Sequence, residues 1–137
     1  MQGLHIIADL YHCLSGQLLV SAEKLRHVCI ENCQAAGLSV LGEHFYQFSG
    51  FDATEDGGTT GAVVLAESHL AIHTWPERHE VSLDVYVCNV TGDNSEKAEQ
   101  LYRLMVAALQ PGAVAVERIS RGKDRPVQVN VKTVRVA

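Results

Sequence analysis

LAIHTWPERHEVSLDVYVCN, Leu70 to Asn89, holds two strand-like runs around a short polar turn, and the architecture of the chain is built outward from it. In the second run Val81, Leu83, Val85 and Val87 alternate with Ser82, Asp84, Tyr86 and Cys88. This period of two marks a β-strand with one face on a core and the other toward a polar space. The first run, Leu70 to Trp75, ends at Pro76, whose missing N–H suits a turn better than a ladder. Pro76 to His79 therefore read as the turn of an antiparallel hairpin. Paired positions in a hairpin keep a constant sum, so Trp75 faces Glu80 and Ser68 faces residue 87 or 88. Ser68 and Cys88 are expected to meet, with directly opposed Cβ atoms about 4.5 to 5.5 Å apart. Cys88 is expected on the polar face.

Upstream, Leu4 to Leu10 is a short apolar run suited to a buried strand. A helix is expected from about Ala22 to Ala36, with Ser21 as N-cap, Leu25, Val28, Cys29, Asn32, Cys33 and Ala36 at helical spacing, and Gly37 as its stop. Leu38 to Phe48 reads as a strand, Ser49 to Gly61 as a loop rich in Gly, Thr and acids, and Ala62 to Ala66 as the next strand. A second helix runs from Ser95 to Leu109, with Ala98, Leu101, Met105 and Ala108 on one stripe and Pro111-Gly112 as terminator. Strands near Ala113 to Ile119 and Val127 to Val134 finish the chain. Two amphipathic helices against six or seven mostly hairpin-linked strands imply an α+β fold: a two-layer α/β sandwich, mostly antiparallel, with both main helices on one face. The other sheet face is left needing company.

A chain of 137 residues is of single-domain size, and residues 1–137 are read as one domain. No apolar run approaches the ~20 residues of a membrane span, and MQGLHIIADLYHC at the start reads as mature structure without a basic leader. A cytoplasmic protein without membrane attachment is expected. Cys13, Cys29, Cys33 and Cys88 read as free thiols, since no second ligand pair accompanies Cys29 and Cys33. The net charge is -5, yet six of the eleven basic residues, Arg118, Arg121, Lys123, Arg125, Lys132 and Arg135, lie in the last stretch, where only Asp124 opposes them. The acidic remainder favours a cationic small molecule over a phosphate backbone. The basic tail lacks a nucleic-acid motif or interleaved aromatics.

The chemistry gathers around Ser68. His73 lies five residues along the same strand, roughly 16 Å away at ~3.3 Å per residue, too far for direct proton transfer. Either the strand bends or another chain supplies the imidazole. His69 and His73 have metal-ligand spacing only on a helix, and this segment reads as strand, so no metal site is expected. Gly57 to Gly61 lacks the Lys-Ser/Thr ending and following helix of a phosphate loop. Trp75 reads as a core or interface anchor.

ESHLAIHTWPE, Glu67 to Glu77, with a cysteine twenty residues past the serine, closely resembles the small prokaryotic S-adenosylmethionine decarboxylases, self-processing pyruvoyl enzymes of polyamine synthesis. The resemblance is specific from about Gly61 to Cys88 and looser over the rest. It implies that Ser68 is the precursor of a pyruvoyl group: its Oγ attacks the Glu67 carbonyl, the amide becomes an ester, and β-elimination cuts the chain into residues 1–67 (β chain) and 68–137 (α chain). A decarboxylase needs an electron sink that no ordinary side chain offers, and the pyruvoyl carbonyl, condensing with the substrate amine, supplies it. The resemblance makes His73 the processing base, Cys88 the proton donor after carbon dioxide leaves, and Glu77 the carboxylate that binds the ribose hydroxyls. It implies a homodimer with shared active sites, in which Thr60, His73 and Glu77 of one protomer face Ser68 and Cys88 of the other.

One segment departs from the family pattern. Where the family shows Phe-x-Pro-x-Gly-x-Ser-Gly, this chain reads FSGFDATEDGGTTG. Thr60 keeps a hydroxyl at the serine position for processing support, and Phe48 or Phe51 is the ring to stack on adenine. The loop is longer, lacks the proline and carries Asp52, Glu55 and Asp56. These carboxylates open a second expectation, decarboxylation of a basic amino acid such as arginine or ornithine on the same scaffold. A third is an unprocessed, non-catalytic binding subunit.

Overall fold

The computed structural model describes residues 2–52 and 56–122. Along the chain run β1 (Gly3–Tyr11), α1 (Gly16–Val20), α2 (Ala22–Ala35), β2 (Val40–Ser49), β3 (Asp56–Leu65), β4 (Ser68–Trp75), β5 (Glu80–Cys88), α3 (Ser95–Leu109) and β6 (Ala113–Arg121), with a 3-10 turn over Pro76–Arg78. The strands form one sheet in the order β2-β3-β4-β5-β1-β6, every pairing antiparallel. The hairpin that anchors the architecture has the expected register, Trp75 opposite Glu80 and His73 opposite Ser82. Its turn closes through His79, which adopts a left-handed φ of 53° and donates its N–H to the Pro76 carbonyl.

Alternation along each strand sends one set of side chains under the helices. Ile6, Ala8 and Leu10 of β1, Leu70 and Ile72 of β4, and Val81, Leu83, Val85 and Val87 of β5 form one cluster with Leu25, Cys29 and Cys33 of α2 and Ala98, Leu101, Met105 and Leu109 of α3. Each fully buried large side chain contributes about 1.5–3 kcal/mol against its exposed state, offset by the entropy of ordering it. α2 lies over β2 and β3, α3 over β1 and β5, and the helices touch each other. This is the expected two-layer α+β sandwich with both main helices on one face. Ser21 caps α2 by accepting the Lys24 N–H at 3.2 Å, and Gly37 beyond it takes a φ of 82°. α3 spans the expected Ser95 to Leu109, its left-handed stop falling on Gln110, φ 51°, just ahead of Pro111.

Two elements differ from the expectation. The short helix α1 carries too few turns for a periodic signal; it buries Leu19, whose carbonyl accepts the Thr74 hydroxyl at 2.7 Å. β3 begins at Asp56, so the second half of the expected Ser49–Gly61 loop is strand. Glycine disfavours strands through entropy, but here the packing requires it: a Cβ on Gly58 would lie 2.1 Å from the Thr74 carbonyl oxygen, and one on Gly61 2.2 Å from the Phe45 ring. The expected strand Val127 to Val134 lies outside the described residues, as do Lys123, Arg125, Lys132 and Arg135 of the basic tail. Among the described residues no helix packs on the second sheet face, which presents His5, Asp9, Thr60, His69, His73, Ser82, Asp84 and Tyr86.

Candidate active site

Leu65 and Ser68 form the last pair of the β3–β4 hairpin, which leaves Ala66 and Glu67 as its two-residue turn. Glu67 sits at φ 61°. A left-handed conformation costs a residue with a Cβ roughly 1–2 kcal/mol, so the Glu67–Ser68 peptide bond leaves a strained residue. Ser68 is 8% exposed and its Oγ has no hydrogen-bond partner among the described residues. A buried hydroxyl without a partner is costly and uncommon. A strained carbonyl donor followed by an unengaged nucleophile is the arrangement that Oγ attack on the preceding carbonyl needs.

The β4–β5 register pairs His69 with Tyr86. The next step opposes Ser68 to Val87, so the expected direct meeting of Ser68 with Cys88 is corrected: Cys88 lies one position further, on the diagonal. Alternation groups Ser68 with buried Leu70 and Ile72, and Cys88 with Tyr86 on the second face. The two residues therefore share the same end of adjacent strands but belong to opposite faces. Cys88 stands on the open face as expected, but it is buried rather than solvent-facing, 7% exposed. Asn94 holds its backbone, Nδ2 donating to the Cys88 carbonyl at 2.8 Å.

The other expected residues collect at the far end of β4. Thr60 pairs with His73 across β3 and β4, and its Oγ1 lies 2.6 Å from His73 Nδ1. Phe48, Phe51, Thr60, His73, Trp75 and Glu77 line a cleft of about 450 Å³, and Asp56 lies on the same wall. Glu77 reaches it from the 3-10 turn that joins the hairpin. Phe51 is 91% exposed and Phe48 half exposed. Neither Ser68 nor Cys88 touches this cleft. Five residues of strand, roughly 16 Å, separate Ser68 from His73, and alternation puts them on opposite faces. The strand does not bend to close that gap: β4 keeps its ladder to β3 and β5 from His69 to His73. One chain thus holds the expected residues in two separate groups, Ser68 with Cys88 at one end of β4, and Thr60, His73, Glu77, Phe48 and Phe51 at the other.

His69 and His73 stand about 13 Å apart along the strand, beyond the span of one ion's ligands. His69 instead packs beside the Tyr86 ring, centroids 5.4 Å apart, and near His5 at 6.2 Å. Burial lowers the His5 pKa, against the pull of Asp84 3.9 Å away. The four cysteines are free. Burial pushes the Cys33 thiol up to about 12 and Cys29 still higher, which suits inert core groups. Sequence reasoning missed the left-handed turn at Glu67 and the group His5, Tyr86 and Arg121 beside Cys88. The turn had a signal, two strands separated by only two residues; the group had none, because β1, β5 and β6 are distant in the chain.

The family model described as S-adenosylmethionine decarboxylase matches residues 4–122. The chain is 39% identical over 120 residues to the S-adenosylmethionine decarboxylase proenzyme of a Hydrogenobaculum species, covering 88% of this chain and 81% of that one. It is 34% identical to the proenzyme of Picrophilus torridus over 129 residues, 94% of this chain and 91% of the relative. The crystal structure of the adenosylmethionine decarboxylase from Aquifex aeolicus superimposes with a TM-score of 0.75 at 33% identity, covering 92% of this chain and 97% of that chain.

Proposed function

Because the chain belongs to the S-adenosylmethionine decarboxylase family, we propose that it is a self-processing carboxy-lyase that decarboxylates S-adenosylmethionine to the aminopropyl donor of polyamine synthesis. The observation that carries this is the left-handed Glu67 followed by the buried Oγ of Ser68, without a hydrogen-bond partner among the described residues. The same observation is the test of fit for the cofactor: residue 68 has a hydroxyl free to react and a strained carbonyl in front of it. In processing, Ser68 Oγ adds to the Glu67 carbonyl carbon, the peptide C–N bond breaks, and an ester joins the two residues. A base then takes the Ser68 α-proton, the Cβ–Oγ bond breaks with its electrons on oxygen, and Glu67 leaves as a carboxylate; the dehydroalanine left at residue 68 tautomerises to an imine, which water hydrolyses to the pyruvoyl carbonyl with loss of ammonia. Strain at Glu67 favours the first step because cleavage releases it.

A pyruvoyl group at residue 68 supplies the electrophilic carbonyl that makes loss of carbon dioxide feasible. His73, acting as the processing base through Nε2, carries its proton on Nδ1 and donates it to Thr60 Oγ1, which fixes the ring. Cys88 delivers a proton to the carbon that has lost carbon dioxide. Cleavage frees residue 68 from the β3–β4 turn, so it can swing to the Cys88 side of the strand, adjacent strands lying about 4.7–4.9 Å apart. Glu77 takes the ribose hydroxyls, and Phe48 or Phe51 covers the adenine. The wide separation of these two groups supports a homodimer in which Thr60, His73 and Glu77 of one protomer serve Ser68 and Cys88 of its partner. The second sheet face, on which no helix packs among the described residues, supports the same assembly. No helix among the described residues is long and apolar enough to cross a membrane; the proposed enzyme acts on a small molecule in the cytoplasm.

A second substrate reading rests on Asp56, whose carboxylate shares the cleft with Glu77 and suits the guanidinium or ammonium of arginine or ornithine. Carbon dioxide release from each of the three substrates by purified protein separates the readings. Intact mass comes first: fragments 1–67 and 68–137 support processing, and one uncut chain of 14.9 kDa inert to carbonyl reagents removes the enzyme reading in favour of a binding subunit.

A further inference from the structure

β1 pairs with β5 on one side and β6 on the other, so Gly3 stands between Cys88 and Arg121 in one cross-strand row. Gly3 leaves a notch there, and Tyr86 fills it: a Cβ at residue 3 would lie 3.1 Å from Tyr86 Cε2 and 3.3 Å from its Oη. Tyr86 precedes Cys88 by two positions on β5 and therefore points from the same face. Its ring lies under the Arg121 guanidinium, 5.3 Å from Cζ to centroid. Arg121 Nη1 lies 3.3 Å from His5 Nδ1, and the His5 and His69 rings flank the phenol at 5.8 and 5.4 Å. Three side chains from three strands, His5, His69 and Arg121, thus surround the phenol on the face it shares with the Cys88 thiol.

We propose that Tyr86 is a positioning residue for Cys88: its hydroxyl donates a hydrogen bond to Sγ and, backed by the Arg121 cation, stabilises the thiolate that remains once the thiol proton has gone to carbon. The Cys88 S–H bond breaks, the proton moves to the substrate carbon, sulfur keeps the electron pair, and Tyr86 keeps its own proton. The role of the thiol comes from the function proposed above; the phenol–thiol pair stands on geometry. The Tyr86 pKa agrees with it, raised by burial and then by the charge and hydrogen bond of Cys88, with Arg121 pulling the other way.

The test follows alkylation of Cys88 by iodoacetamide near neutral pH, read by peptide mass, in the full-length Ser68→Ala chain. Cys29 and Cys33, both fully buried, report unfolding if they react. Tyr86→Phe keeps the ring and removes one oxygen. The expected result is alkylation about tenfold slower, the scale set by one hydrogen bond to a charged acceptor. Arg121→Gln is expected to slow it in the same direction by a smaller factor. In the processed enzyme Tyr86→Phe lowers kcat and leaves KM unchanged. A side chain that merely packs predicts an unchanged or faster reaction, since phenylalanine shields the sulfur no better, and that outcome overturns the assignment. If Tyr86→Phe exposes Cys29 and Cys33, Arg121→Gln decides by the same criterion. Slowed alkylation in a protein that releases no carbon dioxide counts against the proposed function and leaves the Tyr86 assignment standing.

Discussion

A mixing experiment asks whether His73 acts on the Ser68 of its partner. Within one chain the two lie roughly 16 Å apart along β4 and on opposite faces, so neither rotamer change nor local breathing brings imidazole to the serine α-proton. A Ser68→Ala homodimer has nothing to cut, and a His73→Ala homodimer lacks the base. A heterodimer of the two has one complete site, Ser68 from one chain and His73 from the other, and one empty of both. Random pairing of equal amounts gives two kinds of homodimer and the heterodimer in the ratio 1:2:1, so about half of the His73→Ala chains meet a Ser68→Ala partner in a two-fold dimer. Co-refolding the two chains, one carrying a mass tag, and measuring intact mass should show about half of the His73→Ala chains cut after Glu67 and no cut in the Ser68→Ala chains. Cleavage in the mixture no greater than in His73→Ala alone, with heterodimer present by native mass spectrometry, refutes action across the interface. So does full-rate cleavage of His73→Ala by itself.

Glu67→Gly in the uncleaved Ser68→Ala background should raise stability by about 1 kcal/mol in urea unfolding, because glycine tolerates the left-handed φ of 61°. The same change with Ser68 intact should slow cleavage; an unchanged midpoint and rate would show that the turn stores no strain. Gly61→Ala forces a methyl to within 2.2 Å of the Phe45 ring and should cost about 1–3 kcal/mol, with Phe45→Leu in the same chain recovering part of the loss. Arg118 holds Glu99 through two hydrogen bonds of 2.6 and 2.9 Å, which keep that carboxyl below its ordinary pKa despite partial burial. A depressed carboxyl stabilises the fold above its unfolded pKa of about 4.3 and loses that contribution as pH falls through the folded value. With the Arg118 side chain 44% exposed, Arg118→Gln should cost roughly 0.5 kcal/mol at neutral pH, and the two proteins should converge in stability in acid. The Arg118 guanidinium also lies 5.4 Å from the centroid of the Tyr102 ring, and a gap that persists in acid would assign the loss to that packing instead.

The β4–β5 hairpin and α3 were legible because each needs only a local rule, alternation by two or by 3.6 residues and a proline stop. Where local propensity and tertiary contact disagree, as at Gly57 and Gly58, propensity suggests loop, and close approach of β2 and β4 makes strand. The candidate residues were legible as a set through the stretch Glu67 to Glu77, but their arrangement was not. A constant-sum rule narrowed the partner of Ser68 to two positions, and a shift of one residue decides the face on which a side chain lies.

By itself, then, the chain order determined which groups exist and how β5 divides them, because backbone periodicity is a property of neighbours: Val81, Leu83, Val85 and Val87 on one face, Ser82, Asp84, Tyr86 and Cys88 on the other. Only the folded sheet decided the rest. Pairing of β1 with both β5 and β6 brought Gly3, Tyr86, Cys88 and Arg121 together, the two-residue turn forced Glu67 left-handed, and the ladder from His69 to His73 held β4 straight. A straight strand cannot return its own histidine to its own serine, and that rigidity is the physical reason the two stay apart within one chain.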